Sequence, residues 1–161
     1  MEELRAHPWC ACSLHLAHAH PDSIRIMGDQ MKLKKLTPNL VVRNVEASLN
    51  FYRIALGFQP GFTVPDTPPY VFGSVVSDGV EIFFNEHKTV AEDYPALGAK
   101  PIGGSLTLFI EVEGIEDFFI RVRQHGAKIT MPMKDQFYGM REFAFEDPEG
   151  WVVTLAERIQ K

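Results

Sequence analysis

The chain has 161 residues, is 45% hydrophobic and 23% charged, and carries a formal net charge of −5 at pH 7. This length and composition suit one soluble globular domain or two small halves of one. The acidic balance argues against nucleic acid, whose affinity rests on clustered Lys and Arg, and no apolar run approaches the roughly 18 residues of a membrane span.

Residues 1–30 read differently from the rest. They hold both cysteines, Cys10 and Cys12, and four of the six histidines, His7, His15, His18 and His20. With no cysteine elsewhere, no disulfide framework holds the body, which fits a cytoplasmic protein. A secretory signal is excluded by Glu2 and Glu3 at the start and by histidines interrupting the apolar stretch. The donors Cys10, Cys12, His15, His18 and His20 suit a soft metal if gathered. The reading preferred over that metal site is a disordered extension over residues 1–30, with Met31 a natural beginning for a folded domain over residues 31–161.

From Leu36 the pattern sharpens. Residues 36–43 read as a strand with Pro38 near its start, where a missing N–H is tolerated. Asn44 is an N-cap and Glu46 an anion in the first turn. Val45, Leu49, Tyr52 and Leu56 form one helical stripe, and Gly57 ends it. Residues 60–70 read as a loop. Residues 70–76 and 80–85 read as strands joined by a Ser77-Asp78-Gly79 turn. Residues 86–104, rich in Pro and Gly, read as a linker.

The same order then returns: a strand over 105–113, a helical stripe of Ile115, Phe119 and Val122 stopped at Gly126, a short strand over 127–131 and a loop over 134–138. A closing hairpin turns at Asp147-Pro148-Glu149-Gly150. Val45, Leu49 and Tyr52 shift by 70 onto Ile115, Phe119 and Val122, and Thr37 onto Thr107. A period this long means two copies of one βαβββ unit. The predicted fold class is therefore α+β, with modules at about 36–86 and 105–157 pairing into a curved mixed sheet that encloses a cleft.

Asn44-Val45-Glu46-Ala47-Ser48-Leu49-Asn50-Phe51-Tyr52, then Leu56-Gly57-Phe58, then Asp147-Pro148-Glu149-Gly150 resemble the vicinal oxygen chelate superfamily. That superfamily includes glyoxalase I, extradiol dioxygenases and the bleomycin and fosfomycin resistance proteins. The resemblance covers about residues 33–157. It implies four metal-ligand positions, which map onto Thr37, Glu81, Thr107 and Thr154, where metal-dependent members keep His (or Gln) and Glu. Only Glu81 retains a chelating type, and neutral hydroxyls hold divalent ions weakly. The expectation is therefore no metal, no cofactor and no catalytic residue. The closest likeness is to the metal-free bleomycin-resistance-like members, which bind an aromatic, cationic drug without chemistry as homodimers. The alternative is a metal-dependent lyase, isomerase or dioxygenase using Glu81. His87, past a strand end, and His125, at a helix C-terminus, do not restore a ligand set.

Strand parity places Thr37, Asn39, Glu81, Phe83, Thr107, Phe109, Glu142 and Thr154 on the cleft side, and leaves the other face almost wholly apolar to pack beneath helices. Such a mixed face suits a small molecule. Glu81 and Glu142 lack an obvious basic neighbour. Either they receive a cationic ligand on which Phe83, Phe109, Phe137 and Tyr138 stack, or water, Arg43 or Arg141 satisfies them. Phe51, Tyr52, Phe118 and Phe119, on helices, read as core or interface. Phe137-Tyr138-Gly139 falls in a loop, where an aromatic pair can cap a pocket.

Overall fold

Asn44 and Gly57 bracket the first helix, α1 (Val45–Leu56), in the computed structural model of the chain, which describes residues 32–160. The Asn44 side chain accepts the Ala47 N–H at 2.9 Å. Gly57 closes the other end at φ 78°, a left-handed conformation that costs glycine little. Val45, Tyr52, Ala55 and Leu56 are buried along the inward stripe. Each fully buried large apolar side chain contributes roughly 1.5–3 kcal/mol. The N-terminal readings, with Cys10, Cys12 and their neighbouring histidines, lie outside the described residues. Residues 32–35 carry neither helix nor strand, and the chain from Leu36 forms a separate unit.

That unit is the expected βαβββ pair. The first module contains β1 (Asn39–Val42), α1, β2 (Gln59–Val64), β3 (Phe72–Ser77) and β4 (Val80–Glu86). The second contains β5 (Thr107–Glu111), α4 (Ile115–Gln124), β6 (Lys128–Asp135), β7 (Met140–Glu146) and β8 (Val152–Arg158). Each sheet is mixed, in the orders β1-β4-β3-β2 and β5-β8-β7-β6, with β1/β4 and β5/β8 parallel and the other pairs antiparallel. As expected, each module contributes a four-stranded mixed sheet; no ladder joins the two sheets among the described residues. They share one core, in which Leu40, Val42, Tyr52 and Phe84 of one module meet Ile115, Phe143, Phe145 and Leu155 of the other.

Several boundaries differ from the sequence reading. Residues 59–64 form edge strand β2 rather than loop, because an edge strand tolerates Pro60 and the irregular register between Pro60 and Thr63 absorbs Gly61. β6 runs on to Asp135 for the same reason: it is an edge strand with two register shifts, and it accommodates Pro132. The linker holds two short helices, α2 (His87–Asp93) and α3 (Pro95–Gly98), which bury only Val90 and so leave little periodic signal. β1 starts at Asn39, so Thr37 precedes it.

The turn over residues 147–151 fastens the second module to the first. The Glu149 carboxylate accepts the backbone N–H groups of Arg43 and Asn44 at 3.0 and 3.2 Å, and pairs with the Arg43 guanidinium at 3.0 Å. Trp151 donates its indole N–H to the Val41 carbonyl at 3.0 Å. Asp147 accepts from the backbone of Glu149 and Trp151 and from the Tyr52 hydroxyl, the last at 3.2 Å. Gly150 takes φ 90° to complete the turn. Across the helices, Arg121 donates to the Ile54 carbonyl at 2.8 Å.

Candidate functional site

Alternation along the strands leaves each sheet a face turned away from its helix. On the first sheet this open face carries an aromatic cluster. Phe72 lies 5.0 Å from Phe62 and 5.1 Å from Phe83 between ring centroids. Phe62 and Phe83 are 6.2 Å apart, edge to face. Phe83 belongs to the sequence-predicted site. Phe72 and Phe62 do not: Phe72 shows only as an alternating residue of its strand, and Phe62 fell in a segment that reads as loop. Beside the rings, Asn85 donates to the Asn39 side chain at 2.6 Å. Glu81 is half-buried on the same strand as Phe83.

On the second sheet the Thr107 and Thr154 hydroxyls are 3.2 Å apart and hydrogen-bonded. Phe109, one register step from Thr107 on the same face, is 54% exposed. Further along, Glu142 is only 4% exposed, yet neither Arg43 nor Arg141 satisfies it. Arg43 is taken by Glu149, and Arg141 is held between Asp135 at 2.6 Å and Glu116 at 2.7 Å, which lowers both carboxyl pKa values from their usual range. The donors to Glu142 are instead two neutral groups of the β6–β7 turn: the Tyr138 hydroxyl at 2.8 Å and the Gln136 amide at 3.1 Å. The bond to Glu142 raises the Tyr138 pKa. Phe137 packs edge to face on Tyr138 with 5.0 Å between centroids and is otherwise 98% exposed.

The predicted residues thus fall into three groups. Thr37, Thr107 and Phe109 line one cavity of about 430 Å³ between the ends of the two sheets, walled by Leu36, Pro38 and Leu106. Phe83 belongs to the ring cluster, and Tyr138 with Glu142 to the β6–β7 turn. Glu81, Phe83, Phe137, Tyr138, Glu142 and Thr154 are not in the lining of that cavity.

Register also revises the ligand mapping. Asn39 pairs with Phe83, and Phe109 with Thr154. Since Asn39 and Phe109 are equivalent in the repeat, the counterpart of Thr154 is Phe83, and the counterpart of Glu81 is Val152. The four corresponding positions are therefore Thr37, Phe83, Thr107 and Thr154. Three hydroxyls and a phenyl ring do not fit a divalent ion, which takes imidazole, thiolate or carboxylate donors. Among the described residues no group of three or more His, Cys, Asp or Glu is gathered for one. His87 instead lies 3.2 Å from the Gly98 carbonyl, and His125 caps the end of α4. No helix among the described residues is long and apolar enough to cross a membrane.

Known structures share this architecture. A glyoxalase/bleomycin resistance protein/dioxygenase family enzyme from Burkholderia phytofirmans PsJN is similar at a TM-score of 0.66 and 21% identity, over 76% of this chain and 97% of that one. A glyoxalase/bleomycin resistance protein/dioxygenase from Nocardioides gives 0.65 and 22%, over 83% and 89%. TioX from Micromonospora sp. ML1 gives 0.62 and 15%, over 78% and 99%. Comparison with curated proteins gives no match. The family model of the Glyoxalase/Bleomycin resistance protein/Dioxygenase superfamily matches residues 32–155, and the chain belongs to that superfamily.

Proposed function

We propose that this chain binds a small, flat, aromatic cation without a metal ion, on the open faces of its two sheets, and works as a homodimer. The observation that carries the reading is the donor set: Thr107 and Thr154 satisfy one another, and a ring, Phe83, stands at the position equivalent to Thr154. Mutually bonded hydroxyls at these positions offer little to an ion. It suits an apolar ligand with a few polar contacts. The Phe62–Phe72–Phe83 cluster supplies a stacking surface, on which a cation gains from the ring quadrupoles. Glu142 supplies a carboxylate held by neutral donors that a stronger, charged donor can replace. The exposed rings of Phe62, Phe109 and Phe137 leave apolar surface for a partner copy to cover.

The test is metal analysis of the purified protein beside thermal melts with proflavine. The expected result is substoichiometric metal, no effect of EDTA on Tm, and a Tm that rises with proflavine concentration. Replacing Phe83 with Ala should remove most of that rise. Stoichiometric zinc, nickel, manganese or iron, with loss of Tm on chelation, would overturn the reading and favour a metal-dependent enzyme.

A further inference from the structure

Two copies of one unit should make equivalent contacts on both sides of the seam between them. Here they do so on one side. The β7–β8 turn closes over the β1–α1 junction through Glu149 and Trp151. The repeat places Glu113 opposite Arg43, Gly114 opposite Asn44, Asp78 opposite Glu149 and Val80 opposite Trp151. An ion pair is replaced by two carboxylates, and an indole by an isopropyl group. The backbone contact is also missing: the N–H groups of Gly114 and Ile115 are taken by Glu157, at 2.8 and 3.0 Å. Asp78 has no such work, and its hydrogen bond is a 3.1 Å one from the neighbouring Ser77 hydroxyl.

The seam is consequently open on this side, as a cavity of about 960 Å³. Asp78, Val80 and Glu113 line it, with Glu157 and the Arg158–Glu111 pair at 3.8 Å, together with apolar side chains from the shared core that include Leu56, Phe58 and Leu155. We propose that this cavity is a second small-molecule site, separate from the open faces, for a monocation on an apolar body: a primary amine or guanidine attached to an aliphatic or aryl group. Its charged head is attracted by Asp78 and Glu113, as the Arg43 guanidinium is by Glu149 across the repeat. Its body covers the apolar floor. With Asp78, Glu111, Glu113 and Glu157 against Arg158 alone, the lining keeps a negative balance that disfavours anions, and a neutral analogue gains only the apolar contact.

The test is titration of ¹⁵N-labelled protein with 2-phenylethylammonium chloride and, separately, 2-phenylethanol. The ammonium compound should give saturable shifts at the amides of Gly79 and Gly114, and the alcohol should bind about tenfold more weakly or less. Glu113→Arg, at an exposed position, restores the charge that Arg43 carries and should weaken ammonium binding by about tenfold or more. Glu92→Arg, an equal charge change on α2, should leave it unaltered. Absent shifts, equal affinity for the alcohol, or unchanged binding to Glu113→Arg would overturn the proposal. So would shifts confined to Phe83 and Phe109, which would support the open-face site alone.

Discussion

Tyr52 and Asp147 join the modules through one buried hydrogen bond, and burial raises the pKa of both. Burial, reinforced by the neighbouring carboxylate, pushes the Tyr52 hydroxyl well above 10.0. Burial also raises Asp147 above 3.8, against the lowering effect of its bonds from Trp151, Glu149 and Tyr52. Tyr52→Phe removes the donor and leaves a buried carboxylate oxygen short of a partner, which should cost about 1–3 kcal/mol in urea denaturation at neutral pH. For Asp147 the folded state binds its proton more tightly than the unfolded state. Its contribution is therefore full below pH 3.8 and is lost as pH rises through the higher folded-state pKa. Asp147→Asn should flatten that part of the stability–pH curve, measured as urea midpoints across the acid range. Tyr52 has the same sign at the alkaline end, so stability should fall further above pH 10.0. Asp147 is visible in the sequence as a turn residue, and Tyr52 as one of a helical stripe. Their meeting is not visible, because it spans ninety-five positions and depends on how the modules dock.

At the scale of elements, α1 begins with two caps from different modules. Asn44 caps it locally, and Glu149 reaches in from the β7–β8 turn to the N–H groups of Arg43 and Asn44. An anion at this end is also favoured by the helix dipole. Glu149→Ala should destabilise the protein by about 2 kcal/mol, since it leaves two backbone donors and a guanidinium without their acceptor. Asn44→Ala should cost about 1 kcal/mol, and the two losses should not be additive, because both act on the same helix start. A double-mutant cycle in urea checks this. The helix ends were legible because caps are local chemistry: Asn44, Gly57 and Gly126 announce themselves. The edge strands β2 and β6 were not, because Pro60, Gly61 and Pro132 read as breakers until a neighbouring strand supplies the pairing that outweighs them.

At the scale of the whole molecule, the modules own separate sheets but one core, so neither keeps its buried face if the other unfolds. The unit from Leu36 should therefore unfold in a single transition, with calorimetric and van't Hoff enthalpies in agreement. Separate transitions for the two halves would show that the seam contributes less than its contacts suggest.

The sequence by itself determined the duplicated βαβββ plan, the helix stripes and the face each strand buries. All of these follow from periodicities of 3.6, two and seventy residues, which are properties of the chain. Only the tertiary structure decided that Phe83 rather than Glu81 matches Thr154, that Tyr138 and Gln136 hold Glu142, and that one side of the seam closes while the other stays open. Those depend on strand register and on charges brought together from distant segments, and register is set when sheets pair, not when the chain is written.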